Sequence, residues 1–128
     1  MRCHCDSMMP YKLCCEPLIS GDRPAKTALA LMRSRFSAHV EQQATYIFNT
    51  YGEQLRAELL LEDIEHSLKG ICWDELEILS VSQGRVFDEE GVVEFLAHYT
   101  QNSEKYTMHE RSLFHKEQGM WRYVGTAQ

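Results

Sequence analysis

The chain has 128 residues, 44% hydrophobic and 25% charged, the proportions of an ordinary globular domain, which exclude a disordered or fibrous chain. A formal net charge of −6 leaves no broad cationic face for a phosphate backbone, so nucleic acid is not the expected partner. No apolar run approaches the roughly 18 residues of a membrane span and no signal-like stretch opens the chain, so the expected setting is cytoplasmic, away from any membrane.

The first element is a thiol cluster. MRCHCDSMMPYKLCCEP holds Cys3, Cys5, Cys14 and Cys15, four of the five cysteines in the chain. In a reducing compartment, clustered thiols are more often metal ligands or redox groups than disulfides. Adjacent Cys14 and Cys15 cannot bridge each other without strain, while a bridge from either to Cys3 or Cys5 stays open in an oxidising setting. Two close pairs of thiolates can fill the tetrahedral shell of zinc and leave no position for water or substrate, which makes a structural site. Asp6, Ser7 and Pro10 supply the turn that folds one pair back on the other, and metal supplies folding energy that so short a segment lacks. His4 is a rival ligand between better-spaced thiols. Arg2 and Lys12 are the cations within reach of the site's negative charge.

Cys3-His4-Cys5-Asp6-Ser7, then Tyr11-Lys12 and Cys14-Cys15, resembles the SEC-C motif, a short zinc-binding module first noted at the C-terminus of the SecA translocation ATPase. The usual form of the motif has Pro and Gly where this chain has His4 and Asp6. Pro17, Ser20-Gly21-Asp22 and Pro24 then punctuate the chain, placing a module boundary near residue 20.

Thr27 is the expected N-cap of a helix over TALALMRSRFSAHV, whose Leu29, Met32, Phe36 and Val40 form a buried stripe. At about 100° per residue, Arg33 falls at the edge of that stripe and Arg35 projects well away from it. A second helix over EQQATYIFNTY presents Ala44, Ile47, Phe48 and Tyr51 on one face and ends near Gly52. A third runs from about Glu53 to Lys69. Strands follow from Ile71: ICWDELEILSVS, then VVEFLAHYT with Val93, Phe95, Ala97 and Tyr99 on one face, then YTMHERSLFHKE and MWRYVG joined at Gln118-Gly119. Helices followed by an antiparallel meander predict an α+β fold with helices on one face of a curved sheet. Trp73 and Trp121 read as core residues, and Cys72 as a small buried hydrophobe.

SGDRPA, LMRSRF and HERSLFHKEQGMWRYVGT, in that order, resemble the bacterial YchJ family. The resemblance implies a nuclear transport factor two-like, or cystatin-like, domain over residues 21–128, a cone of curved antiparallel sheet packed with N-terminal helices, preceded by a SEC-C-like zinc-binding module over residues 1–20. Such a cone can enclose a pocket. His109, Glu110 and Arg111 interrupt an apolar strand pattern, and alternation sends Glu110 to one face and its neighbours to the other. A carboxylate or imidazole on the concave face could act as an acid or base, against the simpler reading of a solvated face or a structural ion pair. A partly buried Arg33 needs a carboxylate, and Glu110 is its expected partner in an architectural helix-to-sheet pair.

The function these features favour is a zinc-dependent protein-interaction adaptor. Its partner class, an export or ribosome-associated protein, rests on resemblance to the SecA tail alone. The alternative is a small-molecule binder or enzyme using the cone pocket. An interaction role ranks above an enzymatic one, and an exposed sheet face allows a homodimer.

Overall fold

The structure is a computed structural model that describes residues 1–127. A 3-10 turn at Tyr11–Leu13 and a short helix α1 (Glu16–Ile19) lead from the cysteine segment to helices α2 (Ala28–Val40), α3 (Ala44–Asn49), α4 (Glu53–Arg56) and α5 (Leu61–Ser67). Four strands complete the chain: β1 (Ile71–Gln83), β2 (Glu90–Gln101), β3 (Glu104–Glu117) and β4 (Met120–Thr126). The fold is α+β, as the helix-then-strand order predicts.

The sheet is an antiparallel meander in the order β1-β2-β3-β4. Two of its hairpins turn on residues with positive φ at both central positions, Asn102-Ser103 (53° and 68°) and Gln118-Gly119 (53° and 79°), the combination whose twist suits the flanking strands. Register shifts at Trp73/Glu75 and Ile78/Ser80 in β1, and at Leu113/Phe114 opposite β4, mark bulges that curl the sheet. Val93, Phe95 and Ala97 all face the core, the face the sequence alternation assigns them.

Helix α2 begins where the sequence places it, with the Thr27 hydroxyl accepting a bond from the Ala30 amide at 3.0 Å. Its burial is wider than one stripe. None of its 13 residues is exposed, because it lies against β1, β2 and β4 on one side and against α1 and α3 on others. Leu31, Ser34, Arg35, Ser37 and Ala38 are buried, whereas Leu29 and Val40 of the expected stripe are only half-buried. Ser34, Ser37 and Ala38 are small, so other backbones can come close. The expected outward position of Arg35 is thereby corrected: it is only 6% exposed.

The single helix expected over Glu53 to Lys69 is two helices. Leu60, extended at φ −115° and ψ 136°, starts α5 on a new axis, so that Ile64 and Leu68 reach a second cluster with Ala38, Ala44 and Ile47. The start of α4 is set from afar, by the Glu117 carboxylate of β3 accepting the Glu53 amide at 3.0 Å.

Cys3, Cys5 and Cys15 belong to the main core, together with Leu31, Met32, Phe36, Phe95, Phe114 and Trp121. The cysteine segment is therefore wedged against the helix and not merely tethered to it. Trp121 is buried, its indole N–H donating to the Lys26 carbonyl at 3.2 Å, and Trp73 packs half-buried on the same core. Cys72 is exposed, against expectation. Strand alternation explains it: with Trp73 turned inward, its neighbour must face out. Among the described residues no helix is long and apolar enough to cross a membrane.

The start of α2 is pinned to the β1–β2 hairpin by the Ala28 amide donating to the Gly84 carbonyl at 2.9 Å. A Cβ on Gly91 would sit 2.4 Å from the Gly84 Cα and 3.2 Å from the Ala28 Cβ. Gly91→Ala should therefore lower unfolding stability by about 1–3 kcal/mol, the usual range for overpacking. Urea denaturation checks this, and an unchanged midpoint would mean the hairpin can move away from the helix at no cost.

Candidate functional site

The four cysteines of the N-terminal segment converge. Their sulfurs all lie within 4.8 Å of one another, and Cys3, Cys5 and Cys15 are buried. Cys5 and Cys14 are 3.6 Å apart sulfur to sulfur, and Cys14 and Cys15 are 3.9 Å apart. A tetrahedral shell with zinc–sulfur bonds of about 2.3 Å has edges of about 3.8 Å. The donor set and its spacing thus fit a four-coordinate thiophilic metal.

The segment closes on itself through backbone bonds, the Cys3 amide to the Met9 carbonyl at 2.8 Å and the Tyr11 amide to the Met1 carbonyl at 3.0 Å. Asp6 and Met8 adopt φ of 65° and 72°, a region where Gly is favoured and Asp is tolerated better than most. Asp6 holds the position that Gly occupies in the usual form of the motif it resembles, and it does so in a left-handed conformation that costs a non-Gly residue some strain.

The support around the sulfurs differs from expectation. The Arg2 guanidinium reaches the Met8 sulfur at 3.8 Å. The Ser7 hydroxyl stands 3.1 Å from the Cys14 sulfur and the Ser37 hydroxyl 3.4 Å from that of Cys3. Arg33 donates to the Cys5 carbonyl at 2.6 Å. His4, the rival ligand, is turned away, its Nε2 2.6 Å from a Glu41 carboxylate oxygen. Ser37 and Arg33 could not be found from local pattern, since each lies on α2, about thirty residues away from its partner.

Without a cation the sulfurs share protons. Hydrogen bonds from Cys15 and Cys5 lower the pKa of Cys3, while Cys15 is raised chiefly by its hydrogen bonds to Cys3 and Cys5, which need its proton, and burial pushes Cys14 up to about 11. A metal ion must displace these protons, so its affinity rises with pH.

The second feature is a cavity of about 200 Å³ between α2 and the concave face of the sheet. Of the polar residues singled out in sequence, only Glu110 lines it. Its Oε2 accepts bonds from the Ser112 hydroxyl at 2.6 Å and the Tyr123 hydroxyl at 2.7 Å. The expected Arg33–Glu110 pair does not form, because α2 aims Arg33 at the cysteine turn. His109 and Arg111 are on the opposite, exposed face, as strand alternation requires, with the His109 Nε2 2.7 Å from a Glu94 carboxylate oxygen.

The buried arginine of the cavity is Arg35. It donates to the Ile47 carbonyl at 2.9 Å and the Thr50 hydroxyl at 2.6 Å, and its guanidinium lies 4.3 Å and 4.9 Å from the ring centres of Tyr51 and Tyr123. His39 also lines the cavity. Its Nδ1 is 2.7 Å from the Arg35 carbonyl oxygen, which can only accept, so Nδ1 carries the proton and Nε2 is an acceptor. Burial, with the Arg35 charge adding to it, pushes His39 down to about 4. Neither residue stood out in sequence, because both look like polar positions on an amphipathic helix.

Comparison with known proteins places these features in context. Residues 27–126 match the family model described as "YchJ, middle NTF2-like domain". The UPF0225 protein of Vibrio vulnificus strain YJ016 is 39% identical over 122 residues, covering 95% of this chain and 72% of the relative. A UPF0225 protein of Geobacter sulfurreducens is 36% identical, covering 95% and 76%. The solution structure of a SEC-C motif containing protein from Rhodopseudomonas palustris superposes with a TM-score of 0.90 at 30% identity over 99% of this chain and 98% of that one. A crystal structure of a SEC-C motif containing protein from Psychrobacter arcticus gives 0.84 at 25% identity, covering 100% of this chain and 84% of that one.

Two outcomes follow from this geometry. Replacing Asp6 by Gly should relieve the left-handed strain and stabilise the fold by on the order of 0.5 kcal/mol, read as a shift in thermal midpoint at fixed metal content. For His39, the unfolded chain takes up a proton near pH 6.5 and the folded one does not until about pH 4. Stability is therefore lost as pH falls through that window, by about 1–3 kcal/mol, and His39→Gln should flatten the stability profile between pH 6.5 and 4.5. A variant profile parallel to that of the unaltered protein would contradict the assignment.

Proposed function

We propose, from the premise that this chain belongs to the UPF0225 family of YchJ-type proteins, that its cysteine cluster holds one zinc ion and that the metal shapes a docking surface for a protein partner. The observation that carries the metal is the sulfur geometry: four sulfurs within 4.8 Å, with edges of 3.6 Å and 3.9 Å where measured between neighbours. A shell closed by four thiolates has no position for substrate, so the role of the metal is structural. The likeness to two SEC-C motif containing structures supports the same reading.

The partner is argued from what the metal segment exposes. Met8, Met9 and Leu13 are 57%, 48% and 61% exposed, and the cations Arg2 and Lys12 stand among them. Flexible apolar side chains fringed by both signs of charge, Arg2 and Lys12 against Asp6 and Glu16, suit an apolar protein segment. Resemblance to the SecA tail favours an export or ribosome-associated protein. The cytoplasm, where thiols stay reduced, is the fitting compartment.

The test has two arms. Elemental analysis of the purified chain should find one zinc per molecule, and Cys14→Ser with Cys15→Ser should lose it; retained stoichiometric zinc, or iron in its place, refutes the metal assignment. Affinity capture from cell extract should recover a partner with the intact chain and lose it with Met8→Ser and Leu13→Ser, which leave the sulfurs untouched. Identical capture by that zinc-loaded double variant refutes the docking surface.

A further inference from the structure

The geometry points to a second binding site in the cone cavity, one that takes a small, uncharged, planar aromatic molecule bearing an N–H or O–H donor and that is separate from the metal centre. Its size sets the first limit. At about 200 Å³, the cavity is somewhat larger than the roughly 150 Å³ void that accepts benzene, so it holds one substituted ring and little more.

The walls set the class of molecule. Met32, Phe36, Trp73, Phe95 and Met108 give apolar and aromatic faces, and the ring of Trp73 is held edge-on by Phe36 and His39 at centroid distances of 6.2 Å and 5.7 Å. Such fixed rings favour a flat ligand in offset or edge-to-face contact.

The polar groups set the sign of the hydrogen bonding. Both described protein bonds to Glu110 fall on Oε2, and His39 is bonded to protein through Nδ1. No fully buried side-chain nitrogen or oxygen among the described residues lacks a partner, so Oε1 of Glu110 and Nε2 of His39 are open to the space they line. Both are acceptors. Tyr123 and Ser112 spend their hydroxyl protons on Glu110, and one nitrogen of Arg35 serves Ile47 and Thr50. A ligand that brings a donor can use these two open acceptors.

Charge supplies the last restriction. The lining carries one cation, Arg35, and one carboxylate, Glu110, and His39 is neutral near pH 7. Arg35 and Glu110 offset each other, so a charged ligand of either sign meets one repulsive group beside one attractive one and must also be stripped of water. A neutral molecule meets neither penalty.

Phenol and indole are the probes, with benzene as the ring lacking a donor and benzoate and benzylamine as charged controls. Titration of the full, metal-loaded chain, followed by the indole N–H resonances in a proton–nitrogen NMR spectrum, should move the Trp73 signal saturably and leave that of Trp121 in place. Phenol should bind about tenfold more tightly than benzene, since a hydrogen bond to a charged acceptor supplies at least that ratio. Benzoate and benzylamine should bind more weakly than phenol. Ser112 and Tyr123 can bond a Gln side chain too, so Glu110→Gln keeps the fold while its thermal midpoint reports any loss. In that variant the preference for phenol over benzene should shrink severalfold. Absence of saturation by phenol and indole, equal affinity for benzene, preference for benzoate, or an unchanged phenol-to-benzene ratio in folded Glu110→Gln would each overturn the site.

Discussion

The rest of the molecule depends on a helix on which no residue is exposed. Helix α2 lies against the sheet, α1, α3 and the cysteine turn, so each of its buried polar side chains must find a partner inside the protein. Ser34 meets this by donating to the Leu31 carbonyl at 2.9 Å and lying 2.6 Å from the Tyr46 hydroxyl. Ser37 turns to Cys3, and Arg35 to the end of α3 and two tyrosine rings. The side chains that satisfy the helix are the same ones that order the two sites on either side of it.

Those two sites divide the helix between them. Arg33 and Ser37 hold the cysteine turn, while Met32, Arg35, Phe36 and His39 line the cavity. The alternation of roles follows from helical period: residues 33 and 37 share one face, and residues 32, 35, 36 and 39 share the next. A buried guanidinium with no carboxylate in contact among the described residues is tolerated because carbonyl, hydroxyl and aromatic faces together disperse its charge.

What could be read in the sequence was whatever depends on neighbours along the chain. The thiol pairs, the Thr27 cap, the strand alternation around Phe95 and the Gln118-Gly119 turn are all local patterns, and the structure shows each cap, strand and turn where the pattern places it. What could not be read depends on distant segments. Arg35 looked solvent-facing because helical periodicity counts one buried face, and nothing in LMRSRF reveals a second layer formed by α3. The start of α4 is tied to a carboxylate from β3, and the break before α5 serves a second cluster built with α2 and α3. Arg33 and Glu110 each had the right chemistry for a pair, but the cysteine turn and Tyr123 claim them separately. The family resemblance supplied the cone; it did not identify which polar side chains point into it.

The meeting of Ala28, Gly84 and Gly91 has a consequence for how this chain can vary over evolutionary time. Neighbours in an ordinary core can exchange volume, one growing as another shrinks, and so drift through many equivalent sequences. Here two partners have no side chain and the third has a single methyl group, 2.6 Å from where a Cβ on Gly84 would lie. Only the Ala28 methyl could be given up, and the Gly84 backbone would still block a side chain on Gly91. The hairpin and the helix start can be altered only together, by moving backbone, which makes this contact a fixed point about which the rest of the sequence is free to change.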